Sequence, residues 1–253
     1  MRVNSLAKAE VRVFPDVSAL NRAAADEFIR AAREAVNVRH RFAVALSGGS
    51  TPQGIYALLV ADHKTDPAKV PWDKIHIFFG DERPVPPTHA DSNFHQARQN
   101  LLTQVPLPQG NLHRVRAELG ARTAAADYEH WLRAFFHARN CQVPQFDLIM
   151  LGLGTDGHTA SLFPDSAALK EQTRLVCENW IQPLGSHRIT FTYPLLNAAA
   201  EVMFVVAGKE KAQALRQVLR GDPNGATYPA QAVQPASGKL LWMLDEAAAS
   251  LLG

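Results

Sequence analysis

The sequence predicts an α/β fold in which a mainly parallel sheet is covered by helices on both faces. This is an α/β/α sandwich, built as a single domain over residues 1–253. Three observations predict it. Short apolar runs alternate with helical patterns along the chain. The run "FDLIML" (146–151) is almost continuously apolar, as strands buried on both faces are. The length of 253 residues, 47% hydrophobic and 20% charged, suits one large core better than two small ones.

The elements follow in order. "EVRVF" (10–14) alternates as a short strand, and residues 17–36 space Leu20, Ala24, Phe28 and Ala31 at helical period. "RFAVAL" (41–46) is a strand stopped by "SGGSTP" (47–52), with helical "QGIYALLVAD" (53–62) behind it. "KIHIFF" (74–79) is the next strand, ended by the charged loop "GDERPVPP". Residues 92–102 read as a helix whose free amides Ser92 can cap. In 123–139, Tyr128, Trp131, Leu132, Phe135 and Phe136 mark one broad apolar helix face. "FDLIMLGLG" (146–154), "RITFTYPLL" (188–196) and "EVMFVVAG" (201–208) read as strands, the last leading into a helix over 209–219. "KLLWML" (239–244) and "DEAAASLL" (245–252) form a last strand and helix.

Composition narrows the function classes. With 26 basic against 24 acidic residues, the net charge of +2 implies no nucleic-acid partner. No stretch is apolar enough for a membrane span, and the N-terminus has no apolar signal core, so no membrane partner is expected. Cys141 and Cys177 lie far apart without metal-ligand spacing, which fits a reduced, cytoplasmic setting.

The candidate site residues sit in loops after strands, where parallel sheets gather their ligands. In "LSGGSTP", Ser47, Gly48, Gly49, Ser50 and Thr51 open a helix whose free amides can take phosphate oxygens. The loop is neither a Walker A loop nor a nucleophile elbow. Standing alone, it is equally an ordinary turn. In "GDERPVP", Arg83 could steady a developing oxyanion, and Asp81 could orient a hydroxyl or move a proton. In "LGLGTDGHTASLFP", Gly152, Gly154 and Gly157 bend the backbone, and Asp156 stands two residues from His158. That carboxylate could orient the imidazole as a general base. A metal is disfavoured, because no second cluster of ligands accompanies the pair. Arg188, at the start of a strand, and Lys211, in the first turn of a helix, could grip a phosphate with the "SGGST" loop.

Taken in order, these motifs resemble the 6-phosphogluconolactonases. The resemblance is carried by "LSGGSTP", "FFGDERPVP" with "DSNF", "LGLGTDGHTASLFP", "HRITFTYPLLNAA", "VVAGKEKA" and "PASGKLLWMLDEAA". It implies a fold shared with the glucosamine-6-phosphate deaminases. It implies hydrolysis of 6-phospho-D-glucono-1,5-lactone to 6-phosphogluconate in the oxidative pentose phosphate pathway, with no cofactor. By the same resemblance His158 is the base, Asp156 orients it, Arg83 positions the lactone, and the "SGGST" loop, Arg188 and Lys211 hold the phosphate. The partner is then a small phosphorylated sugar lactone, with the oligomeric state open and a monomer as the default.

Two alternatives remain, a deaminase/isomerase and a catalytically silent sugar-phosphate sensor. The resembling deaminases carry a glutamate five residues after the histidine, and here that position is Phe163. A sensor has little need of His158, Asp156 and Arg83 together.

Overall fold

The computed structural model describes residues 9–138 and 142–253, and the side chain of Ser50 is outside the description. Cys141 and the first eight residues therefore lie outside the described residues. The chain opens with β1 (Ala9–Phe14), α1 (Val17–Arg39), β2 (Phe42–Leu46), α2 (Ser50–Thr65), β3 (Ile75–Phe79) and β4 (Asp81–Glu82). It continues with α3 (Asn93–Ala97), α4 (Ala121–Phe135), β5 (Leu148–Leu151), β6 (Val176–Ile181) and β7 (Ser186–Phe191). Then come α5 (Tyr193–Leu196), β8 (Glu201–Val206), α6 (Ala212–Arg220), β9 (Lys239–Asp245) and α7 (Glu246–Ala249).

Six strands form one wholly parallel sheet in the order β1-β9-β8-β5-β2-β3. Its inner strands β2, β5 and β8 are buried along their whole length, and β9 after its first residue, which is why "FAVAL" and "LIML" read as unbroken apolar runs. The chain winds outward from β2 to β3, then returns to lay β5 on the other side of β2. The loops after β2 and β5 thus diverge at this reversal, and the crevice between them is where open α/β sheets bind ligands.

A second sheet of three antiparallel strands, β4-β7-β6, branches off the carboxyl end of β3. The 188–196 stretch is corrected here. Its strand, β7, pairs antiparallel in the small sheet, and Tyr193–Leu196 turns into α5, because Pro194 fits a first helical turn and cannot donate to a ladder. The segment read as a helix over 209–219 begins with a 3₁₀ turn, Lys209–Lys211, before α6. Ser92 does cap α3, its hydroxyl accepting from the backbone N–H of His95 at 3.2 Å, and a π-helical turn over Arg98–Leu102 prolongs the helix.

On α4, Tyr128 and Leu132 are buried, while Trp131 is left about half exposed. Its indole N–H donates to His113 Nδ1 at 3.1 Å, so one edge of the ring is fixed and the other faces water. Among the described residues no helix is long and apolar enough to cross a membrane.

Candidate active site

Four neighbouring strands, β8, β5, β2 and β3, end along one edge of the sheet, and the loops that leave them line a cavity of about 590 Å³. Ser47, Gly48, Gly49 and Thr51 come from the loop after β2, Asp81 and Arg83 from the segment after β3. His158 comes from the loop after β5 and Lys211 from the turn after β8. Residues more than 160 positions apart in the chain thus share one wall-to-wall space.

The loop after β2 turns at Gly49, whose φ of +102° is a conformation that side-chain-bearing residues rarely adopt. That turn starts α2 at Ser50, leaving the first-turn amides free of helical partners and facing the loop end. Tyr56 holds the loop in place, its hydroxyl donating to the Ser47 carbonyl at 2.8 Å.

Asp81 is buried and held at both oxygens. Ser161 Oγ donates to Oδ2 at 2.6 Å, and Asn93 Nδ2 donates to Oδ1 at 3.0 Å and to the Asp81 carbonyl at 2.9 Å. The neighbouring Glu82 is also buried. It accepts from the backbone N–H groups of Arg83, Asn93 and Phe94 and from Ser92 Oγ. Burial raises the Glu82 carboxyl above its ordinary value, although the three backbone donors act to lower it. Its effect is to clamp the start of α3 to the backbone of Arg83. The Arg83 guanidinium donates to the Asp91 carbonyl at 2.6 Å, and its buried Nε has no partner among the described residues.

In the loop after β5, the backbone folds back on itself. Gly154 N–H donates to the His158 carbonyl at 2.8 Å, and Gly157 N–H to the Gly154 carbonyl at 3.0 Å. This brings His158 Nδ1 to 2.6 Å from Asp156 Oδ1, which also accepts the His158 backbone N–H at 3.1 Å. Burial works against the charge on Asp156, but the hydrogen bond and charge of His158 outweigh it and hold the carboxyl below its ordinary value. The opposite face of the imidazole is covered by Phe163, with ring centroids 4.0 Å apart and planes at 18°. In the neutral imidazole, an ionised Asp156 at Nδ1 favours the tautomer with its proton there and the lone pair on Nε2.

Arg188 does not line the cavity. It sits on β7 with Nη1 donating to Ser186 Oγ at 3.0 Å and to the His187 carbonyl at 2.8 Å. Burial and the like charge of Arg83 pull its guanidinium below the ordinary arginine value, while Asp81 and Asp91 act the other way. Arg188 therefore stands on the Arg83 and Asp81 side of the site.

The candidate residues did not include Asn93 and Ser161, which brace Asp81, or Asn21, which reaches the cavity from α1. The "DSNF" stretch hinted at Asn93. Ser161 lies within "LGLGTDGHTASLFP", but its partner Asp81 is 80 residues away, and nothing local marked Asn21. Among the described residues, no three His, Cys, Asp or Glu side chains converge as a metal site.

The sequence matches the family described as glucosamine-6-phosphate isomerases/6-phosphogluconolactonase over residues 15–242. It is 43% identical to a 6-phosphogluconolactonase of Nostoc sp., across 97% of this chain and 99% of that protein. It is 42% identical to the Homo sapiens 6-phosphogluconolactonase, across 88% and 85% respectively. The solved 6-phosphogluconolactonase of Trypanosoma cruzi superimposes with a TM-score of 0.85 at 28% identity, covering 97% of each chain.

Proposed function

The chain belongs to the glucosamine-6-phosphate isomerase/6-phosphogluconolactonase family, and we propose that His158 is the base with which it hydrolyses 6-phospho-D-glucono-1,5-lactone to 6-phospho-D-gluconate. The observation that carries this reading is the Asp156–His158 pair, set at 2.6 Å on the rim of a cavity that also holds Arg83 and Lys211.

A lactone is already an activated ester, so a positioned water and a base suffice. His158 Nε2 takes a proton from water as its oxygen bonds to C1, and Arg83 meets the negative charge growing on the carbonyl oxygen. The ring C1–O5 bond then breaks, and O5 receives the proton from the imidazolium. The product acid ionises at neutral pH and releases a proton to solution. Asp156 keeps the imidazole in the useful tautomer, and Asp81, braced by Ser161 and Asn93, orients a substrate hydroxyl.

Ser47, Gly48, Gly49, Ser50 and Thr51 offer the phosphate the start of α2, and Lys211 supplies the opposite charge. Arg188 adds to the positive field from the Arg83 side. Grip on this remote group supplies orientation for the reacting end. The substrate is thus a small phosphorylated sugar lactone, and the setting is cytoplasmic.

Phe163 favours hydrolysis over deamination. A phenyl ring stacked on His158 can neither take nor give the proton that opening an amino-sugar ring requires. The test is formation of 6-phosphogluconate from fresh lactone, measured against its spontaneous hydrolysis. His158→Ala should lower turnover by roughly 10²–10⁴-fold, and a variant with near-wild-type turnover removes His158 from the mechanism.

A further inference from the structure

The cavity does not end at the loops after the strands. It runs past the first turn of α2 to α1, where Val17 and Asn21 complete its lining. Asn21 presses on α2 at Gly54. A Cβ on Gly54 would lie 2.1 Å from Asn21 Nδ2 and 2.9 Å from Cγ, so only glycine there admits the amide this close. Yet the amide makes no hydrogen bond among the described residues, and its Oδ1 is buried without a partner.

Asn21 Oδ1 is an acceptor that a phosphate oxygen cannot satisfy, but Nδ2 is a donor with no partner among the described residues and is not one of the fully buried atoms, so it is open to a ligand that accepts hydrogen bonds. The rest of α1 shows the contrast: Arg22, the next residue, is engaged at 2.7 Å by both Asp26 and Asp62. Asn21 shares its cavity with Thr51, Pro52 and Lys211, the groups at the start of α2 and of the turn after β8. Glu210, next to Lys211 in the chain, folds back over Gly208, where an added Cβ would sit 2.5 Å from Oε2.

We propose that Asn21 is a further substrate-binding residue, its Nδ2 donating to a phosphate oxygen of the ligand from the α1 side of the cavity. The proposal rests on the phosphate reading given above. A neutral donor suits this place because Lys211 already provides charge, and the amide adds a directed hydrogen bond. Asn21 also makes the site selective, since an unphosphorylated lactone leaves its amide unpaired.

The test compares wild type with Asn21→Ala and Asn21→Asp in two measurements. The first is calorimetric affinity for inorganic phosphate and for 6-phosphogluconate. The second is steady-state hydrolysis of the phosphorylated and unphosphorylated lactones. Asn21→Ala should weaken both ligands and raise KM for the phosphorylated lactone about tenfold, the lower range for a hydrogen bond to a charged group, with kcat unchanged. Asn21→Asp, nearly the same shape with a repelling charge, should be worse than Ala. Neither should alter KM for the unphosphorylated lactone.

Unchanged affinity in Asn21→Ala overturns the proposal, as does equal loss on both lactones, which a purely structural role would give. Should wild type bind 6-phosphogluconate but fail to hydrolyse the lactone, the activity reading falls while the affinity comparison still decides the role of Asn21. Should wild type bind neither ligand, the proposal falls with the phosphate reading.

Discussion

Gly154→Ala perturbs the proposed base without touching it chemically. A Cβ at this position would lie 2.1 Å from His158 Nδ1, 2.3 Å from Cε1 and 2.6 Å from Asp156 Oδ1. Ordinary contact begins at 3.4 Å, so the imidazole must retreat by more than an ångström. Phe163 blocks one face and Asp156 ties Nδ1, so the ring can give way only toward the cavity, out of its place in the pair. The backbone itself accepts alanine, because Gly154 is not among the positive-φ residues. A displacement near 1 Å of a reacting group costs on the order of 10²-fold in rate. The expected kcat is therefore about 10²-fold below wild type, approaching that of His158→Ala. The fold should survive. The broken pair is 29% and 45% exposed, so after solvent screening its loss is worth about 1 kcal/mol. In a chain of this size that is a fall of roughly 2–4 °C in Tm. Coupled 6-phosphogluconate formation and a thermal melt, run on the same preparations, supply both readouts. A Gly154→Ala protein with wild-type kcat would refute the reasoning, because the ring could then move without consequence. A collapsed Tm would refute the claim that the loop acts locally.

Three further outcomes are expected. Lys211→Ala should raise KM for the phosphorylated lactone about tenfold or more, and Arg188→Ala, outside the cavity lining, should raise it less; equal losses on the unphosphorylated lactone would place Lys211 elsewhere. The wild-type protein should release no ammonia from glucosamine 6-phosphate, and measurable release would show that Phe163 does not bar deaminase chemistry. Burial, then the charge of His76, lowers His113 from 6.5 to about 4, so its neutral form contributes stability that is whole above pH 6.5. That contribution drains away as pH falls toward 4, by up to about 3 kcal/mol; urea midpoints at pH 7 and pH 4.5 should diverge in wild type and less in His113→Phe, and equal divergence would clear His113 of the effect.

Legibility in the sequence followed the range of the interactions involved. β2, β5 and β8 could be read because both faces of each are buried, and β3 and β9 because nearly all their residues are, which writes short apolar runs into the sequence. The site loops could be read for a related reason: glycines, a proline and charges interrupt those runs where the strands stop. β6 was invisible. Its "VCENWI" carries Asn179 in the interior, where the side chain donates to the Ser161 carbonyl at 2.9 Å and to Ser166 Oγ at 2.9 Å. Those partners lie 18 and 13 residues away, so no local pattern could announce a buried asparagine. β4 is two charged residues that become strand only by pairing with Thr190 and Ile189. Asn93 and Asn21 share that fate, since each has its meaning from a glycine on another element, Gly48 and Gly54 respectively.

In the proposed mechanism, Phe163 is the position that divides two chemistries on a shared fold. The Asp156–His158 pair alone serves either reaction, because a base with a free Nε2 can open an amino sugar or activate water. What differs is the third neighbour of the imidazole. A carboxylate there would offer a second proton station and would stabilise a charged ring. The phenyl face instead offers 4.0 Å stacking and excludes water from one side. The imidazole is left with a single polar tie, at Asp156, and a single open nitrogen. Lactone hydrolysis asks for no more than that: one proton is taken from water, held briefly, and given to the departing ring oxygen. A relay built for two protons would have no use in this cycle, whereas a rigidly stacked base lowers the cost of orienting water at C1. The same stacking bears on Gly154, since a ring held against Phe163 and Asp156 leaves no room beside it for a methyl group unless it gives up that place.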